Sequence, residues 1–230
     1  MAIRKNTRHT ATINPSLAMT ARVRGTGSVR IVSGKWRRTV ITVPTAEGLR
    51  PTSERVRETV FDWLTHLFGT LEGCVVLDLF AGSGAMGFEA ASRGADIVHW
   101  VDVNKQSIGG IQAGLRRLEA DSNKKAFVSD AFVFLKQVRR PYNLIFIDPP
   151  FSLDLQEKAL ASAKEVICEE GLLYVESPQA LLSEETLIKM DLVRVRAGSA
   201  GTVRFELLAR AGSAMASLAK LSKEEKRRKK

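Results

Sequence analysis

Two cysteines, three histidines and two tyrosines among 230 residues leave little material for several kinds of chemistry. Cys74 and Cys168 stand in apolar surroundings, at a strand start and a helix end, which favours buried reduced thiols over a disulfide or redox pair. His9, His66 and His99 are scattered without metal-ligand spacing, so no metal site is expected. No apolar run approaches the roughly 20 residues that a membrane-spanning helix needs. Acidic residues are missing from the first 46 positions, which hold nine Lys and Arg.

Against these absences stands a hydrophobic content of 44%, ample for one α/β domain with a small addition. The net charge of +10 is unevenly spread. Positions 1–46 contribute +9 and positions 223–230 contribute +4, which leaves −3 for everything between. A near-neutral core flanked by cationic ends fits two readings, solvated tails or phosphate-binding arms. Two such ends on one chain favour the second, with nucleic acid as the natural polyanion.

Residues 1–27 are rich in Thr, Ser, Arg and Ala without periodicity and read as a disordered basic arm, with an organellar transit peptide as the minor alternative. Residues 29–43 alternate enough for a short β-hairpin, which carries Arg30, Lys35, Trp36, Arg37 and Arg38. Ser53 is placed as an N-cap, and Val56, Val60, Trp63, Leu64 and Leu67 mark one face of a helix ending near Gly69. From Cys74 onward strands alternate with helices. Strands are expected at 74–79, 97–103, 125–129, 142–148 and 171–177, with helices near 85–93, 105–119, 131–138 and 154–167. The strand runs lack alternation, as in a parallel sheet covered on both faces. A helix at 179–187 and two strands, 190–196 and 202–209, separated by Gly198-Ser199-Ala200-Gly201, would close a seven-stranded mixed sheet. A frayed, charged helical tail follows from Ala214.

The first strand feeds Asp78-Leu79-Phe80-Ala81-Gly82-Ser83-Gly84-Ala85-Met86-Gly87. A Gly-x-Gly turn at a helix N-terminus lets backbone approach a ligand closely, but the spacing serves NAD(P), flavin and S-adenosylmethionine proteins alike. Asp78 separates them: an acid there meets the ammonium of an amino-acid moiety and repels a pyrophosphate. Asp102 ends the second strand about 20 residues beyond the glycines, where a carboxylate takes ribose hydroxyls. Asp130, after the third strand, is placed to accept from an adenine amine. Helix capping is the competing role for each acid, for Asp130 above all.

The fourth strand, Leu144-Ile145-Phe146-Ile147, ends in Asp148-Pro149-Pro150-Phe151. Proline lacks an N–H and fixes φ, and the residue before it is driven to extended geometry. The corner is therefore stiff, with the oxygens of Asp148 available to an exocyclic amine and Phe151 offering a stacking face. Ligands of such sheets bind at the carboxyl ends of the strands near the switch point.

These positions resemble the class I S-adenosylmethionine-dependent N-methyltransferases. Val29-Arg30-Ile31-Val32-Ser33-Gly34-Lys35-Trp36-Arg37-Arg38, Leu49-Arg50-Pro51-Thr52-Ser53-Glu54-Arg55-Val56-Arg57-Glu58-Thr59-Val60-Phe61 and Tyr174-Val175-Glu176 narrow the resemblance to the bacterial 16S rRNA guanine-N2 methyltransferase family, the D type of small-subunit enzyme. It spans about Val29 to Arg210. The chain departs from it at Ser33, Arg38 and Thr39 and in both tails.

The resemblance implies a Rossmann-like α/β fold: seven mostly parallel strands, helices on both faces, and an N-terminal hairpin and helix extension. Four segments are expected: the arm at 1–27, a hairpin and helix cap for RNA and cofactor at 28–70, a methyltransferase domain at 71–211 and a basic tail at 212–230, the two tails lying outside the resemblance. S-Adenosylmethionine is the implied cofactor, held by Asp78, Phe80, Ala81, Gly82, Gly84, Asp102, Val103, Asp130 and Ala131, with Arg50 and Thr52 closing over it. Asp148, Pro149, Pro150 and Phe151 are the implied catalytic residues. Arg30, Lys35, Trp36, Arg37, Arg38, Arg55 and Arg57 are implied to meet RNA, although Arg55 and Arg57 have pairing with core acids as an alternative. The expected partner is 16S rRNA within the small subunit or an assembly intermediate, met by a cytoplasmic monomer. Rival readings are an adenine N-methyltransferase acting on DNA or RNA, a glutamine-amide methyltransferase, a non-catalytic ribosome-assembly factor and, weakest, an NAD(P) oxidoreductase.

Overall fold

Apolar runs without alternation become the middle of a sheet. The computed structural model describes residues 26–44, 52–150, 155–177 and 180–219. Arg50, Phe151, most of the N-terminal arm, the end of the C-terminal tail and the start of the helix expected at 179 lie outside the described residues. Strands β1 (Thr26–Arg30) and β2 (Val40–Pro44) pair antiparallel as the expected hairpin. The others are β3 (Val75–Leu79), β4 (Ile97–Asp102), β5 (Lys124–Val128), β6 (Tyr142–Ile147), β7 (Ile167–Ser177), β8 (Leu192–Ala200) and β9 (Val203–Arg210). They form one seven-stranded sheet in the order β5-β4-β3-β6-β7-β9-β8. β3 to β7 run parallel, and β9 is antiparallel to both β7 and β8.

Helix α1 (Glu54–Phe68) starts where the side chain of Ser53 accepts the N–H of Val56 and stops at Gly69, whose φ of 75° suits glycine. Helices α2 (Ala85–Ser92), α3 (Lys105–Arg117), α4 (Ala131–Gln137), α5 (Gln156–Lys164) and α6 (Glu184–Lys189) complete the set. Two apolar cores sandwich the sheet. One gathers the hairpin, α1, α2 and α3 with Val76, Trp100, Phe146 and Tyr174. The other gathers α4, α5 and α6 with Leu77, Leu79, Ile145 and Val175. No helix among the described residues is long and apolar enough to cross a membrane.

Several boundaries differ from the sequence reading. β7 starts at Ile167, because that buried side chain pairs with Tyr142 after a register shift, so Cys168 belongs to a strand rather than a helix end. α6 begins later than expected, where Ser183 accepts the N–H of Thr186 and two acids fill the first turn. β8 runs through Gly198 to Ala200, leaving only Gly201 and Thr202 as the turn. A Cβ on Gly198 would stand 2.7 Å from the ring of Phe205 and 2.9 Å from that of Trp63, so glycine there permits two aromatic rings to meet at 5.5 Å. Packed structure also continues past the boundary expected at 211. Residues 214–219 are helical, Ala216 and Ala219 are buried, and the N–H groups of Ala214 and Met215 donate to the Glu170 carboxylate at 3.1 and 3.0 Å.

The chain winds outward from β3 through β4 to β5 and then returns to the other side of β3 as β6, which makes the carboxyl ends of β3 and β6 the switch point of the sheet.

Candidate active site

The glycine turn is built by backbone geometry. Phe80 adopts φ 64°, an uncommon conformation for a side chain of its size, and Gly82 and Gly84 follow at 50° and 75°. The Ala81 N–H donates to Val101 O at 2.9 Å and the Gly84 N–H to Ala81 O at 2.6 Å. Gly84 caps α2 in left-handed geometry with no side-chain bond. Its carbonyl accepts the indole N–H of fully buried Trp100 at 3.1 Å. Half-buried Phe80 meets Phe132 edge-on at 6.4 Å.

Acids brace this turn from two sides. Asp102 accepts the Gly82 N–H on Oδ2 at 2.8 Å and the Asn104 N–H on Oδ1 at 2.7 Å. Asp78, 5% exposed, accepts the Gly87 N–H on Oδ2 at 2.9 Å. Burial pushes the Asp78 carboxyl up to about 8; the Gly87 hydrogen bond opposes the shift and nearby Asp102 adds to it. Asp130 caps α4, its Oδ1 accepting from both Phe132 and Val133 at 2.9 Å. The capping role foreseen as its alternative is thus occupied, through one oxygen. Val103 is 67% exposed beside Asp102, an apolar edge open to a ligand. Ala81 and Ala131 are buried in the two cores, so their methyl groups pack inward. Thr52 is half-buried and its carbonyl accepts from Arg57 Nε at 3.4 Å.

On the other side of the switch point, Leu79 stands beside Ile147, so Asp148 follows beside Phe80. Asp148 is half-buried, Pro149 buried and Pro150 exposed. The Asp148 carboxyl is raised well above the usual carboxylate range, first by burial and then by Glu176 and Asp78. The end of β6 therefore neighbours the end of β3 that leads into the glycine turn, and Asp148 shares the electrostatics of Asp78. Glu176 had no assigned role in the sequence reading; it is 7% exposed, and the Tyr174 hydroxyl donates to its Oε2 at 2.9 Å. Charged groups acting on Asp78 and Asp148 are acids, so the donor set suits a ligand that brings positive charge.

The expected RNA residues divide. Arg30, Lys35, Arg37, Arg38 and Arg55 are exposed, and Lys35 lies 5.9 Å from the Trp36 ring. Trp36 departs from the expectation, and Arg57 takes its alternative role of pairing with a core acid. Trp36 is 9% exposed within the first core, and its backbone N–H donates to Ser92 Oγ at 2.9 Å. Arg57 is buried, donating to Arg30 O at 2.8 Å and pairing with Glu89 at 3.5 Å. A buried guanidinium and a ring enclosed by other side chains offer no face to a polynucleotide.

Glu89 was also missed. Fully buried, it accepts from the N–H groups of Val32 and Ser33 at 2.8 and 3.0 Å and from Arg93 at 2.8 Å. Ser92 accepts from Trp36 and donates to Ser33 O at 2.6 Å. The hairpin tip is thus clamped to the C-terminal half of α2, whose N-terminus forms the glycine turn. One acid within the otherwise uncharged helix Ala85–Ser92 was the signal available in sequence.

A doubly wound sheet with an antiparallel closing pair, a glycine turn and acids at the switch point together define the class I methyltransferase fold. Comparison with known proteins agrees. Residues 29–209 match the family model described as "Conserved hypothetical protein 95". The chain is 39% identical over 155 residues to the ribosomal RNA small subunit methyltransferase D of Escherichia coli, covering 66% of this chain and 76% of that one. It is 37% identical over 163 residues to the protein of the same name from Haemophilus influenzae, covering 70% and 79%. Among solved structures, the Escherichia coli protein yhhF superposes with a TM-score of 0.69 at 34% identity, over 81% of this chain and 100% of that one. The protein SMU.776, complexed with SAH, shares the fold at 19% identity, with a TM-score of 0.59 over 74% of this chain and 53% of that one. The chain belongs to the family of the ribosomal RNA small subunit methyltransferases D.

Proposed function

We propose that this protein methylates the exocyclic N2 of a guanine in 16S rRNA, using S-adenosylmethionine and acting as a cytoplasmic monomer on the small subunit or an assembly intermediate. The observation that supports the reading best is the meeting of two strand ends. The Asp148-Pro149-Pro150 corner of β6 stands next to the braced glycine turn of β3. S-Adenosylmethionine supplies a methyl group on a positively charged sulfur that is a ready leaving group.

The chain's own residues then bind and orient. Asp78 meets the amino-acid end of the cofactor, Asp102 its ribose, and Asp130 with Val103 and Phe80 the adenine. Thr52, joined by Arg50, closes over it. A guanine drawn from its stack enters the crevice, as base-modifying enzymes require. Phe151 stacks on it, and the Asp148 carboxylate and Pro149 carbonyl accept the two N2 hydrogens, turning the nitrogen lone pair toward the methyl. Asp148 stabilises the positive charge that grows on N2 as it takes up the methyl group, and then accepts the proton that the methylated nitrogen sheds. Orientation supplies most of the acceleration. Arg30, Lys35, Arg37, Arg38 and Arg55 hold phosphates outside the crevice.

Incubating small subunits from a strain lacking the gene with the protein and labelled cofactor, then digesting the rRNA to nucleosides, tests this. The expected product is N2-methylguanosine. N6-methyladenosine, or absence of transfer despite cofactor binding, would overturn the reading.

A further inference from the structure

β6 and β7 run parallel, with Phe146 beside Tyr174 and Ile147 beside Val175. One step further in register, Asp148 and Glu176 stand side by side, roughly 5 Å apart at the spacing of neighbouring strands. Alternation along the strands turns both toward the face that carries Phe146 and Tyr174, which is also the face of Asp78. Glu176 is nearly enclosed, and the fully buried Tyr174 hydroxyl donates to its Oε2 at 2.9 Å, fixing the carboxylate plane. Asp148 and Glu176 are thus two neighbouring acids at adjoining strand ends on one face of the sheet, the second one held by Tyr174.

Two adjacent acceptors match one purine edge and not the other. Guanine presents N1–H and the N2 amine side by side, both donors. Adenine presents its amine beside an unprotonated N1, whose lone pair would confront a carboxylate. We infer that Glu176, held by the Tyr174 hydroxyl, accepts the N1–H of the target guanine while Asp148 takes its amine, so that the pair selects guanine over adenine. This rests on the guanine-N2 reading above and assigns its base discrimination to a residue outside the Asp-Pro-Pro-Phe corner.

The test uses small subunits reconstituted with rRNA in which the mapped target guanine is replaced by 2,6-diaminopurine. That base keeps the 2-amino group but has no hydrogen on N1. The measured quantity is the ratio of kcat/KM for guanine over diaminopurine, with cofactor affinity followed by calorimetry. The wild-type protein should prefer guanine by roughly 10- to 100-fold, the scale of discrimination carried by one hydrogen-bonded pair at a base edge. Glu176→Gln, whose amide can donate to N1, should narrow the ratio by roughly tenfold or more. Tyr174→Phe should narrow it in the same direction by less, and both should bind cofactor as the wild type does. Should Glu176→Gln fail to fold, the ratio for Tyr174→Phe decides. An unchanged ratio in the folded variants, with guanine still methylated, would make Glu176 structural and overturn the inference. A wild-type product other than N2-methylguanosine would defeat the functional reading itself.

Discussion

Arg57 and Glu89 meet at 3.5 Å with side chains 2% and 0% exposed, joining α1 to α2 beneath the hairpin. Arg93 approaches the same carboxylate at 2.8 Å, and the Val32 and Ser33 N–H groups complete its shell. Removing the charge leaves two guanidinium groups without their counter-ion. Glu89→Gln should therefore cost about 3–5 kcal/mol of stability. Denaturant melts would show it, and limited proteolysis should cut within residues 31–39 earlier than in the wild type. Unchanged stability would mean that the clamp is replaceable.

Gly87 has ordinary helical geometry but no room. A Cβ there would stand 2.1 Å from Nε1 and 2.4 Å from Cε2 of Trp100, which is fully buried and bonded to Gly84 O. Gly87→Ala should destabilise the protein by about 1–3 kcal/mol through overpacking. Displacing the indole should also loosen the glycine turn and weaken cofactor binding several-fold, read by calorimetry. Tight binding in a destabilised variant would separate the packing of α2 from the cofactor site.

Asp78 titrates near 8 in the fold against an ordinary 3.8. Raised above its unfolded value, it contributes stability that is fully present below about pH 4 and lost as pH rises through 8. The apo protein should therefore melt at progressively lower temperature from about pH 5 to pH 8.5, with a flatter profile in Asp78→Asn. A cationic cofactor favours the ionised carboxyl, so its binding should tighten over the same window and release protons. Calorimetry in buffers of different ionisation enthalpy counts them. A pH-independent affinity would contradict the assignment of Asp78 to the ammonium.

Asp148, also raised, must ionise to accept from the base. The rate at saturating cofactor should rise with pH until that ionisation is complete. Asp148→Ala should lower kcat by roughly 10²–10³-fold, the scale of losing one preorganised electrostatic partner, with cofactor affinity retained. Undiminished turnover would refute the role.

Exposed cations of the hairpin should act additively on RNA. Replacing Lys35, Arg37 or Arg38 by Ala should make the slope of log K against log salt shallower by about 0.7–0.9 for each phosphate no longer neutralised. Cofactor affinity should stay constant. Arg57→Met should instead lower the melting temperature and leave the salt slope alone. Filter binding to small subunits at several salt concentrations distinguishes the two.

Features governed by a few consecutive residues were legible without coordinates. Ser53 as a cap, Gly69 as a stop, the parallel strands and their closing antiparallel pair follow from local pattern and lie where expected. The turn at Gly82 and Gly84 and the acids ending β3, β4 and β6 were equally visible, because each is a residue type required at a strand end. The start of β7 and the length of β8 were not, since pairing partners rather than propensity set those limits.

Charge in a sequence does not say whether it meets water. Arg37 and Arg38 are exposed and Arg57 is enclosed, and nothing in the residues beside each one in the chain sets them apart in this respect. Burial of Arg57 and Trp36 depends on Glu89 and Ser92, 32 and 56 residues away. The chain alone determined the sheet, the glycine turn and the acids at the strand ends, because hydrophobic period and turn chemistry act over a few residues. Tertiary structure alone decided which cations face solvent and which second acid stands beside Asp148. Those outcomes depend on desolvation and on neighbours brought together from distant parts of the chain.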